Sequence, residues 1–188
     1  MKLLSVIDNY IELNYRYMKL VKIIDSSSNS YKYAIAKGDI AYSEGDYKSE
    51  SSYNYSAEKS KKEMEFAKKE LYQLEGLLAN VDQTYRDLIN GMTITELNDA
   101  ILFLSEKKDE TDKEIERYNQ KRKWALEKGD EAYANKKLVE EQEYNTIVSD
   151  CRTKVDRLNH FSSNYQSFIN DIRDVLHKRA DEKLGIKR

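Results

Sequence analysis

The side chains best suited to acid–base chemistry in this sequence are its two histidines, each of which shares a helix face with a carboxylate. Asp156 lies four residues before His160, and Asp174 lies three residues before His177. On an α-helix such spacing brings the two groups together. A di-metal carboxylate bundle would need two Glu-x-x-His motifs and two further carboxylates, and this sequence has no Glu-x-x-His. We therefore expect no metal site and interpret both pairs as surface contacts.

Other catalytic signatures are also missing from the sequence. Its 188 residues include six glycines, one cysteine and no proline, and they contain no Gly-x-Ser-x-Gly, Walker or dinucleotide-binding motif. Cys151 alone forms neither an intrachain disulfide nor a thiolate zinc site, and it falls at an apolar heptad position. We therefore predict a protein that is not an enzyme and needs no cofactor.

Charged residues make up 35% of the chain, with Asp and Glu totalling 34 and Lys and Arg totalling 32. The two signs alternate as on solvated helix faces, whereas nucleic-acid binding requires a basic surface, so we expect no nucleic-acid partner. The N-terminal run reaches Asp8 too early for a signal peptide, and no apolar run approaches the roughly 20 residues of a membrane span. These features predict a cytoplasmic protein.

Apolar residues with 4-3 spacing predict long helices that pack along one seam. A first segment starts at Leu3 with a stripe wide enough to contact more than one neighbour, and the poor helix formers of Asp25–Ser30 predict its end. The spacing continues from Ala57 to Met92 and again from Leu97 to Ala125. It resumes with an offset near Gly129, which indicates either a stutter or a helix break.

A helix stop at Gly91 is followed by Thr93 and Glu96, which fit a capping box for the next helix. A short turn between long helices predicts an antiparallel hairpin. We therefore predict an all-α fold, with one elongated helical domain over residues 1–188. An N-terminal helix of about residues 2–25 packs on a coiled-coil hairpin of about residues 31–180, whose tip lies near residues 91–95.

Two short stretches of the sequence echo each other. Ala34–Tyr42 and Ala125–Tyr133 match at alanine, lysine, glycine, aspartate, alanine and tyrosine positions, with an offset of 91 residues. The match indicates either a duplicated helical unit or a coincidence in a chain of narrow composition.

Tyrosine is enriched, with fifteen in the chain and most in its first third. A tyrosine ring buries a large area while its hydroxyl tolerates water, so these rings either fill the core or form a partner-binding surface. The residues predicted to bind another protein are Tyr31, Tyr33, Tyr42, Tyr47, Tyr53 and Tyr55. Those predicted to pair with a second copy of the chain are Tyr144, Val148, Cys151, Val155, Leu158, Tyr165, Ile169, Ile172 and Leu176.

Two segments resemble known families. Residues 38–47, with Gly38-Asp39 and Gly45-Asp46-Tyr47, resemble the middle of a tetratricopeptide repeat, which implies a helix–turn–helix at residues 43–47. Trp124–Ala134, followed by the heptads that reach Leu176, is similar to the hairpin of the phage-shock/ESCRT-III membrane-remodelling family. That resemblance implies self-assembly on membranes.

The sequence thus predicts a non-catalytic coiled-coil protein that binds another protein, itself or both, in a structural, adaptor or inhibitor-like role. The alternative is a membrane-associated remodelling protein that self-assembles. We expect a homo-oligomer, because 4-3 repeats on long helices seldom bury both sides within one chain.

Overall fold

The structure, a computed structural model, describes the backbone of residues 2–184 and the side chains of residues 2–183. The predicted domain limits, 1 and 188, lie outside these residues. Four α-helices account for nearly all of the described chain, which contains no strand, so the all-α class is confirmed. The helices are α1 (Lys2–Ser43), α2 (Tyr47–Gly91), α3 (Ile94–Ala134) and α4 (Leu138–Leu184).

The helices pack in two pairs, α1 with α2 and α3 with α4. Tight turns at residues 44–46 and 135–137 join the members of each pair. The predicted hairpin arrangement is confirmed in part, since the helices pack in pairs that are joined at these two turns. The helix–turn–helix predicted at residues 43–47 is confirmed.

The chain divides into two compact units. Unit 1 comprises the described residues up to Ile11 and from Tyr85 onwards, and unit 2 comprises Glu12–Thr84. Parts of all four helices supply the core of unit 1, which consists of Leu3, Ile7, Ile11, Tyr85, Ile89, Leu97, Ala100, Leu104, Tyr165, Phe168, Ile169 and Ile172. The start of α1 thus contacts several helices, as its wide apolar stripe predicts. A smaller core in unit 2 consists of Leu20, Ala67 and Leu74.

Helix α1 does not end at Asp25 as predicted but continues to Ser43. The side chain of Ser27 is buried and donates a 3.4 Å hydrogen bond to Glu63 on α2. It lies seven residues after Leu20 and seven before Ala34, both of which are buried. Packing of this seam against α2 therefore outweighs the low helix propensity of the serines.

The 4-3 registers predicted for α2, α3 and α4 lie on the inner faces of the helices. Every predicted seam residue from Ala57 to Met92 is buried or half-buried, and the same holds from Tyr144 to Leu176. In α3 the spacing continues without offset through the buried residues Ala125, Gly129 and Ala132. Gly129 therefore marks neither a helix break nor a stutter.

The connection between α2 and α3 is held by two sets of polar contacts within unit 1. The hydroxyl of Thr93 accepts a hydrogen bond from the backbone N–H of Glu96, and the Glu96 carboxylate accepts one from the backbone N–H of Thr93, so the predicted capping box is confirmed. The guanidinium of Arg179, on α4, donates hydrogen bonds to the backbone carbonyls of Ile89, Asn90 and Met92. Ile89 and Asn90 lie in the last turn of α2, whose carbonyls have no donor four residues further along the helix, so Arg179 supplies donors at this helix end.

Candidate protein-interaction surfaces

The two hairpin turns have the same hydrogen-bonding geometry. The backbone N–H of Asp46 donates a 2.9 Å hydrogen bond to the carbonyl of Ala41, and the N–H of Lys137 donates one of the same length to Ala132. Each atom of the second bond lies 91 residues after its counterpart in the first. The other backbone hydrogen bonds of the two turns correspond with the same offset.

The equivalence extends to backbone conformation and close packing. Among the described residues, positive φ angles occur only at Gly45 (75°) and Lys136 (56°), which are also 91 residues apart. Beside each turn a buried glycine of one helix faces a tyrosine of the next. A Cβ added to Gly38 or Gly129 would lie 3.6 Å from the Cβ of Tyr53 or Tyr144, respectively.

The sequence match extends beyond residues 34–42 and 125–133. Glu50, Tyr53 and Asn54 on α2 have identical residues at the same offset on α4. The offset equals thirteen heptads, so a duplicated hairpin keeps its seam in register. We therefore favour duplication over coincidence. The two equivalent hairpin ends are named tip 1, which comprises residues 33–53, and tip 2, which comprises residues 124–144.

Both tips expose large apolar side chains at equivalent positions. Each of these residues is between 37% and 69% exposed to solvent, although each side chain is aromatic or branched aliphatic. The equivalent pairs are Tyr33 with Trp124, Ile35 with Leu126, Tyr42 with Tyr133, and Tyr47 with Leu138. At the end of tip 1 the rings of Tyr42 and Tyr47 meet edge to face, with 6.3 Å between centroids. An exposed pair of apolar rings of this kind is typical of interaction sites.

The turns themselves differ in charge. Tip 1 turns through Glu44-Gly45-Asp46, which has two acidic residues, and tip 2 turns through Asn135-Lys136-Lys137, which has two basic ones. One charge of each turn interacts within its own hairpin. Hydrogen bonds from the hydroxyl and backbone N–H of Ser49 lower the pKa of Asp46, and Lys137 pairs with Glu140 at 3.0 Å.

The six tyrosines predicted to bind a partner fall into two groups. Tyr33, Tyr42, Tyr47 and Tyr55 are exposed, whereas Tyr31 and Tyr53 are half-buried. The exposed side chains are therefore accessible to a partner. Sequence reasoning from tyrosine density did not identify the equivalent surface of tip 2, which contains Trp124, Leu126, Tyr133, Leu138 and Val139. The echo between residues 34–42 and 125–133 was the signal that located it.

The nine residues predicted to pair with a second copy lie on the inner face of α4. Five of them are buried: Cys151, Val155, Tyr165, Ile169 and Ile172. The other four, Tyr144, Val148, Leu158 and Leu176, are half-buried. In the structure this face packs against α3 and the rest of unit 1. Self-association through it would require the unit to open.

The two histidines lie far apart along α4. His160 is half-buried, with its Nε2 atom 3.1 Å from the side-chain nitrogen of Asn164, and His177 is exposed about 25 Å further along the helix at roughly 1.5 Å per residue. Within the described residues no three His, Cys, Asp or Glu side chains are grouped closely enough to hold a metal ion. None of the four described helices has the length and apolarity that a membrane span requires.

Comparison with known proteins adds no functional information. No protein-family model matches the chain. No curated protein or solved structure matches it significantly either.

Proposed function

We propose that the protein is a non-catalytic helical protein that binds another protein, itself or both, through the tips of its hairpins. The observation that carries this proposal is the repeated set of exposed apolar side chains at equivalent positions of tips 1 and 2. Exposed tyrosine and tryptophan side chains offer large rigid contact areas at a small entropic cost, which suits them to protein interfaces. The same surface would serve a structural, adaptor or inhibitor-like role.

The position of the first residues favours a protein partner over membrane remodelling. The apolar side chains of Leu3, Ile7 and Ile11 are buried in the core of unit 1, where they contact other helices. Inserting them into a lipid surface would first require them to leave that core. Charges of both signs flank the exposed side chains at the two tips, and mixed charge gives little attraction to an anionic membrane.

The test compares three forms of the purified protein, immobilised at equal density and exposed to an extract of the cells that make it. One form is wild type, and the second carries Y42S, Y47S, Y133S and L138S. The control carries F66S and Y72S, which replace exposed rings of α2 outside the tips. Retained proteins are quantified, and the Kd of the most abundant is then measured after its purification.

We expect the wild type to retain another protein or further copies of its own chain. The control should bind this partner as tightly as the wild type does, and the tip variant at least tenfold more weakly, because a few anchoring side chains dominate most interfaces. Equal binding to all three forms would contradict the proposed surface. Failure of the wild type to retain any protein, including its own chain, would contradict protein binding as the function.

A further inference from the structure

The two equivalent turns carry opposite charges, which indicates what kind of partner could bind at the tips. Glu44 and Lys136 are both exposed, and among the described residues neither side chain takes part in an ion pair. Each stands beside exposed apolar side chains, Tyr42 and Tyr47 at tip 1 and Leu138 at tip 2. An apolar patch next to an acidic turn is thus complementary to an apolar patch next to a basic turn.

We propose that tip 1 of one copy of the chain binds tip 2 of a second copy. This inference rests on the proposed function, since it names the partner of the same surfaces. In the contact, the Tyr42–Tyr47 ring pair packs on Leu138 and Val139, while Glu44 and Asp46 face Lys136 and Lys137.

The charge inversion is confined to the turns, because two lysines stand against four acidic residues over the whole of tip 1 and three lysines against six acidic residues over the whole of tip 2. Two copies of tip 1 would bring acidic turns together, and two copies of tip 2 would bring basic turns together. Contact between unlike tips is therefore favoured over contact between like tips. It also disfavours a single external partner that binds both tips alike, since that partner would need to match opposite charges with one surface.

The contact is heterologous, because it joins two different patches. Each copy then has one tip of each kind to offer, so the assembly grows until a ring closes or continues as an open chain. Assembly should weaken with salt, since the facing turn charges are exposed and screened.

Two variants change the charges of the turns, and the local ion pair lost with them is that of Lys137 with Glu140. In E44K/D46N the turn of tip 1 becomes basic, and asparagine at position 46 keeps the capping bond that Asp46 accepts from the Ser49 N–H. In K136E/K137Q the turn of tip 2 becomes acidic. The first variant then has two basic turns and the second has two acidic turns.

The experiment measures molar mass against concentration by light scattering on the full chain, with far-ultraviolet circular dichroism as a check on folding. We expect wild type to exceed 22.1 kDa, the mass of one chain, as concentration rises. Each variant alone should need about tenfold more protein to reach the same mass, because its turns repel. An equimolar mixture of the two should restore assembly, and so should one chain that carries all four substitutions.

Y47S and L138S provide a second measurement that leaves the turn charges intact, and each should weaken assembly as well. Wild type that stays at 22.1 kDa up to millimolar concentration would overturn the inference. So would charge variants that assemble as wild type does, or a mixture that fails to restore assembly. If a different protein then binds the wild type but not the tip variant, the proposed function still stands. If the tip substitutions weaken neither self-assembly nor the binding of another protein, both the inference and the proposed function are overturned.

Discussion

Tyr165, on α4, donates a 2.9 Å hydrogen bond to the carboxylate of Asp8, on α1, from 157 residues further along the chain. The other carboxylate oxygen of Asp8 accepts a 2.9 Å hydrogen bond from Lys107 on α3. One side chain thus links three helices of unit 1. In the sequence Asp8 only interrupts an apolar N-terminal run, and its partners could not be inferred because they depend on how the helices meet.

Replacing Tyr165 with phenylalanine should lower the free energy of unfolding by about 1 kcal/mol, because it removes one hydrogen bond from a buried ring without changing the ring's volume. Denaturant unfolding measures the change. Y72F, at a tyrosine that is 79% exposed, is the control and should lie within about 0.5 kcal/mol of wild type. Equal stability of Y165F and wild type would show that the bond to Asp8 contributes nothing net.

The same hydrogen bond predicts a dependence on alkaline pH. Burial, followed by the bond to Asp8, raises the pKa of Tyr165 above its ordinary value of 10.0. The neutral phenol is therefore favoured in the folded state. Its contribution to the free energy of unfolding is complete below about pH 10 and is lost as the pH rises further. We expect the stability difference between wild type and Y165F to stay constant up to about pH 9 and to shrink as the pH rises above about 10. A constant difference would contradict the assignment.

The capping box between Thr93 and Glu96 predicts a loss of stability towards acid. The bond from the Thr93 backbone N–H, and then that from its hydroxyl, lower the pKa of Glu96 from its ordinary 4.5. The ionised form is favoured in the folded state, so its contribution is present above about pH 4.5 and is lost as the pH falls. T93A should lower the free energy of unfolding by about 1 kcal/mol at neutral pH. E96Q should flatten the acid side of the stability profile, and an unchanged profile would count against the capping role.

Arg179 should stabilise unit 1 through the end of α2. R179M should lower the free energy of unfolding by about 2 kcal/mol, because carbonyls at the end of α2 would lose charged donors. R179K should retain part of the effect, since one ammonium cannot reproduce the planar fork of the guanidinium. R173M, at an exposed arginine of the same helix, is the control. Equal effects of R179M and R173M would show that the charge alone matters.

The seams of the helices could be predicted from the sequence, whereas their pairing could not. The 4-3 spacing from Ala57 to Met92 and from Tyr144 to Leu176 identified inward faces, because burial follows periodicity. The same spacing does not specify which helix covers a face. The α4 spacing therefore fits a second copy as well as it fits α3 and the core of unit 1, which pack against this face in the structure.

Local composition gave a wrong boundary where packing decides the structure. The serines from Ser26 to Ser30 predicted a turn, yet Ser27 continues a buried seam and bonds to Glu63. Conversely, the turn at residues 44–46 contains a glycine that needs its conformational freedom, but its equivalent at 135–137 has Lys136 in the same region of φ. Asn135, the C-cap of α3, is the one residue type there that favours a turn, and the offset of 91 residues points to the same place.

The glycines of the two hairpins provide a matched test of these conformations. G45A should lower the free energy of unfolding by about 1 kcal/mol, because alanine is strained at a φ of 75° even though nothing lies within 4 Å. G129A should raise it by about 0.5 to 1 kcal/mol, since alanine favours the helix and its Cβ would meet Tyr144 at an ordinary 3.6 Å. G38A should gain less, because Asn54 Oδ1, 3.2 Å from the added Cβ, must shift. Denaturant unfolding ranks the stabilities of the three variants, with G76A, at an exposed helical glycine, as the reference. Stabilisation by G45A would contradict the shared turn geometry.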